Sequence, residues 1–262
     1  MMKSLTKEWL LALAVALILV AITSLPYFLG HTLARPGTFF TGLIMNPEDS
    51  QTYFAKMFQG FQGRWLYTIP LTPEPHQPAF LGGFYLALGQ VARLFGLSLV
   101  QVWHLARILA GLFLFLVTFG FVATFLQRPR WRWTAYMLAV IGSGLGWLLL
   151  VLNRAQWLGD FLVDFRMPES HLFFTALTYP HVAAGTGLLL VVFWLALKML
   201  AANQRAWRFA LVAGLVNLAL GIVYPFLIYL VAAAAGLYWL YLAFRARRPL
   251  WREAGLLAII FA

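Results

Sequence analysis

Two acidic side chains stand next to each other in NPEDSQTY, residues 46–53, soon after the first strongly apolar run of the chain. A carboxylate here, Glu48 or Asp49, could act as a general base that removes a proton from an acceptor hydroxyl, or could bind a divalent metal ion. The alternative is structural, because Asp49 precedes SQTYFAKMF and could cap the start of a helix. The sequence leaves both interpretations open.

A stiff, proline-rich stretch follows in TPEPHQPAF (72–80). Each proline biases the residue before it away from helix, so the chain through Glu74 and His76 is predicted to be extended. These two side chains are the expected partners of Asp49. Asp49 and His76 together would offer a metal ion one oxygen and one nitrogen ligand.

A second polar segment lies between later apolar runs. Its ionisable residues are Asp160, Asp164, Glu169 and His171. It leads into TYPHVAAGTG (178–187), where His181 follows a proline at the mouth of an apolar run. An imidazole in that position needs a polar partner or a water-filled cavity, so His171 and His181 either line a cavity that binds substrate or serve the structure.

The composition indicates that these polar residues belong to a membrane protein. Hydrophobic residues make up 63% of the chain and charged residues only 10%, against about 45–50% and about 25% in soluble domains. The first apolar run, residues 9–29, is longer than the apolar core of a signal peptide and is predicted to be a retained span. The chain has no cysteine, which excludes disulfides and thiolate catalysis.

The apolar runs predict an all-α fold, a polytopic bundle of transmembrane helices with about six complete spans. They lie near residues 9–29, 104–126, 133–152, 175–200, 208–222, 226–243 and 254–262. The last run is too short to cross, so we expect a truncated seventh span and a C-terminally truncated chain. We treat residues 1–262 as one transmembrane module, with an external loop over residues 30–103 and the remaining spans over residues 104–262.

Basic residues set the expected orientation of this bundle. They gather at Lys3, Lys7 and in residues 127–133, 198–208 and 244–253. The positive-inside rule places these segments and the N-terminus in the cytoplasm, and it explains the net charge of +11 without nucleic-acid binding.

This orientation predicts that AFLGGFYLALGQVARLFGL (79–97) does not cross the membrane. Taken as a span, it would move residues 127–133 to the outside, so we predict a helix lying along the outer interface. Six of the eight acidic residues then face outward. Arg93 and Arg107, near the outer boundary, could bind a lipid phosphate or could act as interfacial anchors.

The order of these features resembles the GT-C membrane glycosyltransferases, which include protein mannosyltransferases and aminoarabinose transferases acting on lipid A. The similarity lies within roughly residues 5–127. The matching stretches are EDSQTYFAKMFQG (48–60), PEPHQPAFLGGFYLALGQVARLFGLS (73–98) and HLARILAGLFLFL (104–116).

The resemblance implies an enzyme of the cytoplasmic membrane that transfers a sugar from a polyprenyl-phosphate donor on the non-cytoplasmic face. Asp49 matches the first-loop acid of the family, its catalytic base or metal-associated carboxylate, which favours Asp49 over Glu48. Tyr53 matches the aromatic residue that follows, and Arg107 matches an arginine at the head of the second span. Glu74 and His76 occupy the proline-rich position before the interfacial helix.

A non-enzymatic membrane protein is the alternative class, either a flippase or transporter subunit for lipid-linked sugars or an inactive scaffold. A transporter is expected to carry ionisable residues at mid-membrane and to show two related halves. In this sequence the acidic residues lie outside the apolar runs and no internal repeat is visible. The sequence therefore favours chemistry at the outer face.

Overall fold

The computed structural model describes residues 2–157, 159, 162–202 and 204–261, and over these residues the chain is all-helical. The helices are α1 Met2–Thr32, α2 Pro47–Phe61, α3 Gly83–Phe95, α4 Leu99–Phe125, α5 Pro129–Ile141, α6 Gly146–Val151, α7 Leu172–Thr178, α8 Pro180–Ala201, α9 Ala206–Val223, α10 Phe226–Ala246 and α11 Trp251–Ile259. Single 3-10 turns lie at Val163–Phe165 and Pro168–Ser170.

Several helices have the length and apolarity needed to cross a membrane. In the described part of the chain these are Lys7–Thr32, Leu99–Phe125, Pro180–Ala201, Ala206–Val223 and Phe226–Ala246. The prediction of an all-helical chain with membrane-length helices is confirmed. The prediction of six complete spans is not confirmed, because five helices among the described residues are long and apolar enough to cross a membrane. α11 has nine residues and is not one of these five.

Residues 133–152, expected to form one span, are divided between two short helices. α5 ends at Ile141 and α6 begins at Gly146. The backbone N–H of Gly146 donates to Asp164 Oδ2 at 2.6 Å, and a Cβ at Gly144 would lie 2.3 Å from the same carboxylate. Residues 142–145 therefore form a loop next to the Asp164 carboxylate, and the single span expected over residues 133–152 is not formed.

The region predicted as an interfacial helix forms a hairpin with the helix before it. α3 has 13 residues, about 20 Å of helix, which is shorter than a span. A Cβ at Gly60 would lie 2.1 Å from the Leu86 carbonyl oxygen, and one at Gly89 would lie 2.0 Å from the Met57 carbonyl oxygen. These two glycines let the backbones of α2 and α3 approach each other closely.

An ion pair joins the start of α1 to the start of α5. The Arg132 guanidinium donates to the Glu8 carboxylate and also to the Leu126 and Gln127 carbonyls, at 3.1 and 3.2 Å. Residue 8 and the basic segment 127–133 therefore lie at the same end of the packed helices α1 and α4. The positive-inside rule predicts that this shared end is cytoplasmic.

Two compact units make up the chain, and each has its own core. In the first unit, Met1–Ala183, the small side chains Ala12 and Ala16 of α1 pack against Phe115 and Phe119 of α4, since small residues allow membrane helices to approach closely. The second unit, Ala184–Ala262, has an apolar core built from α9, α10, α11 and residues of α8.

We expect Gly89→Ala to lower the stability of the α2–α3 hairpin by roughly 1–3 kcal/mol, because the added methyl collides with backbone. Gly236→Ala is the matched control, since nothing lies within 4 Å of its Cβ position in α10 and alanine favours helix by about 1 kcal/mol. Thermal unfolding in detergent, followed by circular dichroism, measures both. Equal unfolding temperatures for Gly89→Ala and the wild type would contradict the close packing.

Candidate functional site

A buried arginine connects three helices of the first unit. Arg107 of α4 is 1% exposed. Its guanidinium donates to the Thr23 carbonyl and hydroxyl at 3.4 and 3.2 Å and to the Ser24 hydroxyl at 2.9 Å, both in α1. It also donates to the Ala176 carbonyl of α7 at 3.3 Å. No carboxylate among the described residues pairs with it.

The same contacts fix the end of α7. The carbonyls of Ala176 and Leu177 lie in its last turn, where a helix supplies no donors of its own. Tyr27 donates to the Leu177 carbonyl at 2.5 Å, and the Tyr27 ring centre lies 4.5 Å from the Arg107 guanidinium carbon. A cation beside a helix C-terminus also interacts favourably with the helix dipole. The chain then passes through Tyr179 into α8.

Five rings meet next to this turn, and we call them the ring cluster: Tyr53, Tyr85, Trp103, Tyr179 and His181. Tyr85 stacks against Tyr53 with centroids 4.6 Å apart and against Trp103 with centroids 5.5 Å apart. Tyr179 meets Tyr53 edge-on at 5.6 Å, and His181 lies 4.8 Å from Tyr53. The rings come from α2, α3, α4, α8 and the α7–α8 turn, so the cluster joins the first polar segment to the turn that follows the second.

His181 has its polar partner inside this cluster. Its Nδ1 lies 2.6 Å from the Tyr85 hydroxyl, and both side chains are buried. Burial raises the pKa of Tyr85 well above its ordinary value, so the phenol keeps its proton. The position of His181 in the sequence predicts a polar partner, and that partner is Tyr85. The signal in the sequence is helical spacing, because Tyr85, Gly89 and Ala92 lie on one face of α3, and that face is buried.

Carboxylates from both polar segments influence Tyr53 in the ring cluster. The pKa of Tyr53 is raised to about 12, mainly by burial and further by the charges of Tyr179, Asp49 and Glu169. Asp49 and Glu169 are both exposed. Tyr53 thus experiences the charges of two acids that are 120 residues apart in sequence.

Asp49 does not cap α2. The helix begins at Pro47, and its N-cap residue is Asn46, which makes no side-chain capping bond. The carboxylates of Glu48 and Asp49 stand in the first turn, where they interact favourably with the helix dipole. The capping alternative for Asp49 is therefore wrong, and its exposed carboxylate is available for other contacts.

Lys56 adds a cation that the sequence analysis missed. It follows Asp49 and Tyr53 at helical spacing, so the three lie on one face of α2. Its Nζ lies 5.4 Å from the Tyr53 ring centre and 5.5 Å from the Tyr67 ring centre. Burial lowers the pKa of Lys56, and no acid among the described residues forms an ion pair with it. A half-buried amine of this kind is a common feature of functional sites.

Glu74 and His76 are engaged within their own loop. His76 Nε2 accepts from the Ile69 N–H at 2.9 Å, and its Nδ1 donates to the Glu74 carbonyl at 2.8 Å. Both ring nitrogens are occupied, so this loop must rearrange before His76 can bind a metal ion. Among the described residues, no three His, Asp or Glu side chains converge on a possible metal position.

The remaining predicted site residues are His171, Arg93 and Asp160. His171 Nδ1 is 2.8 Å from the Ser170 hydroxyl, and burial lowers the pKa of His171 while Asp164 opposes that shift. Arg93 is exposed in the last turn of α3, with its guanidinium packed over Gly63. Asp160 lies outside the described residues.

Comparison with protein-family models, curated proteins and solved structures finds no match to this chain. Its function is therefore inferred from the residues and geometry above.

We expect Lys56→Met to raise the unfolding temperature at pH 7, because the wild type must bury a charged amine whose pKa is lowered in the folded state. The gain should shrink as the pH rises through that lowered pKa toward 10.5, the ordinary value. Lys7→Met, at an exposed lysine of α1, is the control and should change stability by less than about 0.5 kcal/mol. A Lys56→Met gain that is absent at pH 7, or that persists above pH 10.5, would contradict this assignment.

Proposed function

We propose that this chain is a GT-C-type membrane glycosyltransferase that moves a sugar from a polyprenyl-phosphate donor to an acceptor on the non-cytoplasmic face. The observation that carries the proposal is the ring cluster, where Tyr53 of the first polar segment contacts Tyr179 and His181, which follow the second. Asp49 and Lys56 come from the first segment, and Glu169 comes from the second. A general base, a cation and stacked rings are the parts that such a transfer requires.

In the proposed reaction, the Asp49 carboxylate removes the proton from an acceptor hydroxyl. The hydroxyl oxygen attacks the anomeric carbon, the bond from that carbon to the donor phosphate oxygen breaks, and polyprenyl phosphate leaves. The sugar configuration is inverted. An exposed carboxylate suits this role because both substrates must reach it.

The other site residues receive roles that follow from their positions. Aromatic faces bind the apolar face of a sugar ring. Tyr53 and Tyr179 are the members of the ring cluster on which the charges of Asp49 and Glu169 act. A cation stabilises the charge that develops on the leaving phosphate. Lys56 and the exposed Arg93 are accessible for this purpose, whereas Arg107 is held in its buried contacts. A divalent metal ion bound by Asp49 is a variant of the same proposal.

The proposed arrangement in the membrane places the α2–α3 hairpin at the outer interface. Leu94 and Phe95 at the end of α3 are 77% and 68% exposed, which suits contact with lipid. The N-terminus and the basic loops are cytoplasmic. The divided region α5–α6 supplies the crossing that the positive-inside rule requires between residues 127–133 and the second external segment.

A transporter of lipid-linked sugars is the second candidate. The helix break between α7 and α8 favours it, because transporters form binding sites from interrupted helices. The buried Arg107 and His181 beside this break also fit a substrate path. A transporter would move the donor across the bilayer and leave its sugar–phosphate bond intact.

We expect Asp49→Asn to reduce sugar transfer at least about 100-fold, since a general base contributes roughly 100- to 10,000-fold. The assay uses proteoliposomes, a panel of labelled polyprenyl-phosphate hexoses and a mixture of acceptors, and it measures both transferred sugar and released polyprenyl phosphate. Glu48→Gln is the matched control, because it removes a neighbouring exposed charge and should retain transfer within about threefold.

Three results would contradict the proposal. Undiminished transfer by Asp49→Asn would remove Asp49 from the chemistry, and an equal loss in Glu48→Gln would point to charge alone. Movement of the intact donor across the bilayer without release of polyprenyl phosphate would identify a transporter.

A further inference from the structure

The turn after α10 carries a dense group of arginines. α10 ends at Ala246 and α11 begins at Trp251. Between and beside these ends lie Arg245, Arg247 and Arg248, and all three are exposed. No acidic side chain among the described residues forms an ion pair with them. This concentration of unpaired charge is independent of the ring cluster and of the proposed transfer reaction.

The three arginines line one open cavity. Its volume is about 690 Å³, and its other lining residues are Ala243, Phe244 and Pro249. No carboxylate contributes to the lining. Guanidinium groups bind phosphate through paired, charge-assisted hydrogen bonds, so several of them around one cavity suit a phosphate group.

The backbone of the turn is held in place beneath these side chains. The N–H of Arg247 donates to the Phe244 carbonyl, and the N–H of Arg248 donates to the Ala243 carbonyl, at 3.1 and 3.3 Å. Trp239 Nε1 donates to the Leu250 carbonyl at 2.9 Å and ties the far end of the turn to α10. The cavity therefore rests on fixed backbone.

Arg247 has a backbone conformation that favours glycine or asparagine over arginine. Its φ is 52°, in the left-handed region. Glycine or asparagine is the usual residue at such a helix end. An arginine that lines the cavity therefore stands at a position where glycine or asparagine would adopt the backbone conformation with less strain.

Exposed aromatic side chains mark the depth at which the cavity would sit in a membrane. Phe244 is 86% exposed and Trp251 is 73% exposed. Such residues next to the end of an apolar helix anchor at the boundary between acyl chains and headgroups. A lipid whose tails lie along α10 would therefore present its phosphate to the arginines.

We propose that Arg245, Arg247 and Arg248 form a binding site for the phosphate of an anionic membrane phospholipid. The positive charge distinguishes an anionic from a zwitterionic lipid. The arginine contacts hold the headgroup, and the aromatic side chains hold the upper part of the acyl chains. Juxtamembrane clusters of basic residues recognise anionic lipids in this way.

The test measures binding of dioctanoyl phosphatidylglycerol to the detergent-solubilised chain by titration calorimetry, with dioctanoyl phosphatidylcholine as the zwitterionic comparison. We expect the variant Arg245→Gln, Arg247→Asn, Arg248→Gln to bind phosphatidylglycerol about 100-fold more weakly, given the contribution of each basic residue near a lipid surface. Arg247→Asn alone suits the left-handed backbone, so it should fold normally and bind roughly fivefold more weakly.

The matched control removes the same charge elsewhere. The variant Arg128→Gln, Arg130→Gln, Arg205→Gln changes three other exposed arginines and should keep phosphatidylglycerol binding within threefold of the wild type. An equal loss of phosphatidylglycerol binding in this control would overturn the site. Affinities equal to that of the wild type in both the triple variant at the α10 turn and Arg247→Asn would also overturn it. Equal affinity of the wild type for phosphatidylcholine would also overturn it.

A final arm separates a lipid from a free anion. Inorganic phosphate at millimolar concentration and constant ionic strength should leave phosphatidylglycerol binding unchanged, because it lacks acyl chains. Displacement of the lipid by inorganic phosphate alone would show a site for a soluble phosphate and would contradict the lipid proposal.

Discussion

The contact between Arg107 and the end of α7 is the interaction on which the rest of the first unit depends. A buried carbonyl has no water to bond to, so a helix can end inside the protein only where other groups supply donors. Arg107 and Tyr27 donate to the last-turn carbonyls of α7 and tie them to α1 and α4. The turn into α8 is thereby fixed, and with it the positions of Tyr179 and His181.

Next to that turn, contacts between aromatic rings of different helices hold the candidate site together. Tyr85 stacks on Tyr53 and hydrogen-bonds to His181, so it links α2, α3 and α8. The hairpin of α2 and α3 can hold Tyr85 in place because its glycines bring the two backbones together. Asp49 is exposed on the same face of α2 as the half-buried Lys56. The proposed transfer would benefit from groups that are held in position in this way.

Composition and charge were enough to predict the helical membrane class, because both report directly on the surrounding solvent. Apolarity alone could not reveal the break inside residues 133–152, since that break depends on Asp164, which returns from later in the chain to bind the loop. The same limit applied to the site. Asp49 and His181 stood out by residue type and position, but Tyr85 and Lys56 gain meaning only from neighbours that are distant in sequence.

The most direct test of the account is the side of the membrane on which the acidic start of α2 lies. The chain has no cysteine, so Glu48→Cys and Arg130→Cys each carry a single thiol at an exposed position. A membrane-impermeant maleimide applied to intact cells should label Glu48→Cys, and it should label Arg130→Cys only after permeabilisation. Labelling of Glu48→Cys only after permeabilisation would contradict a site on the outer face.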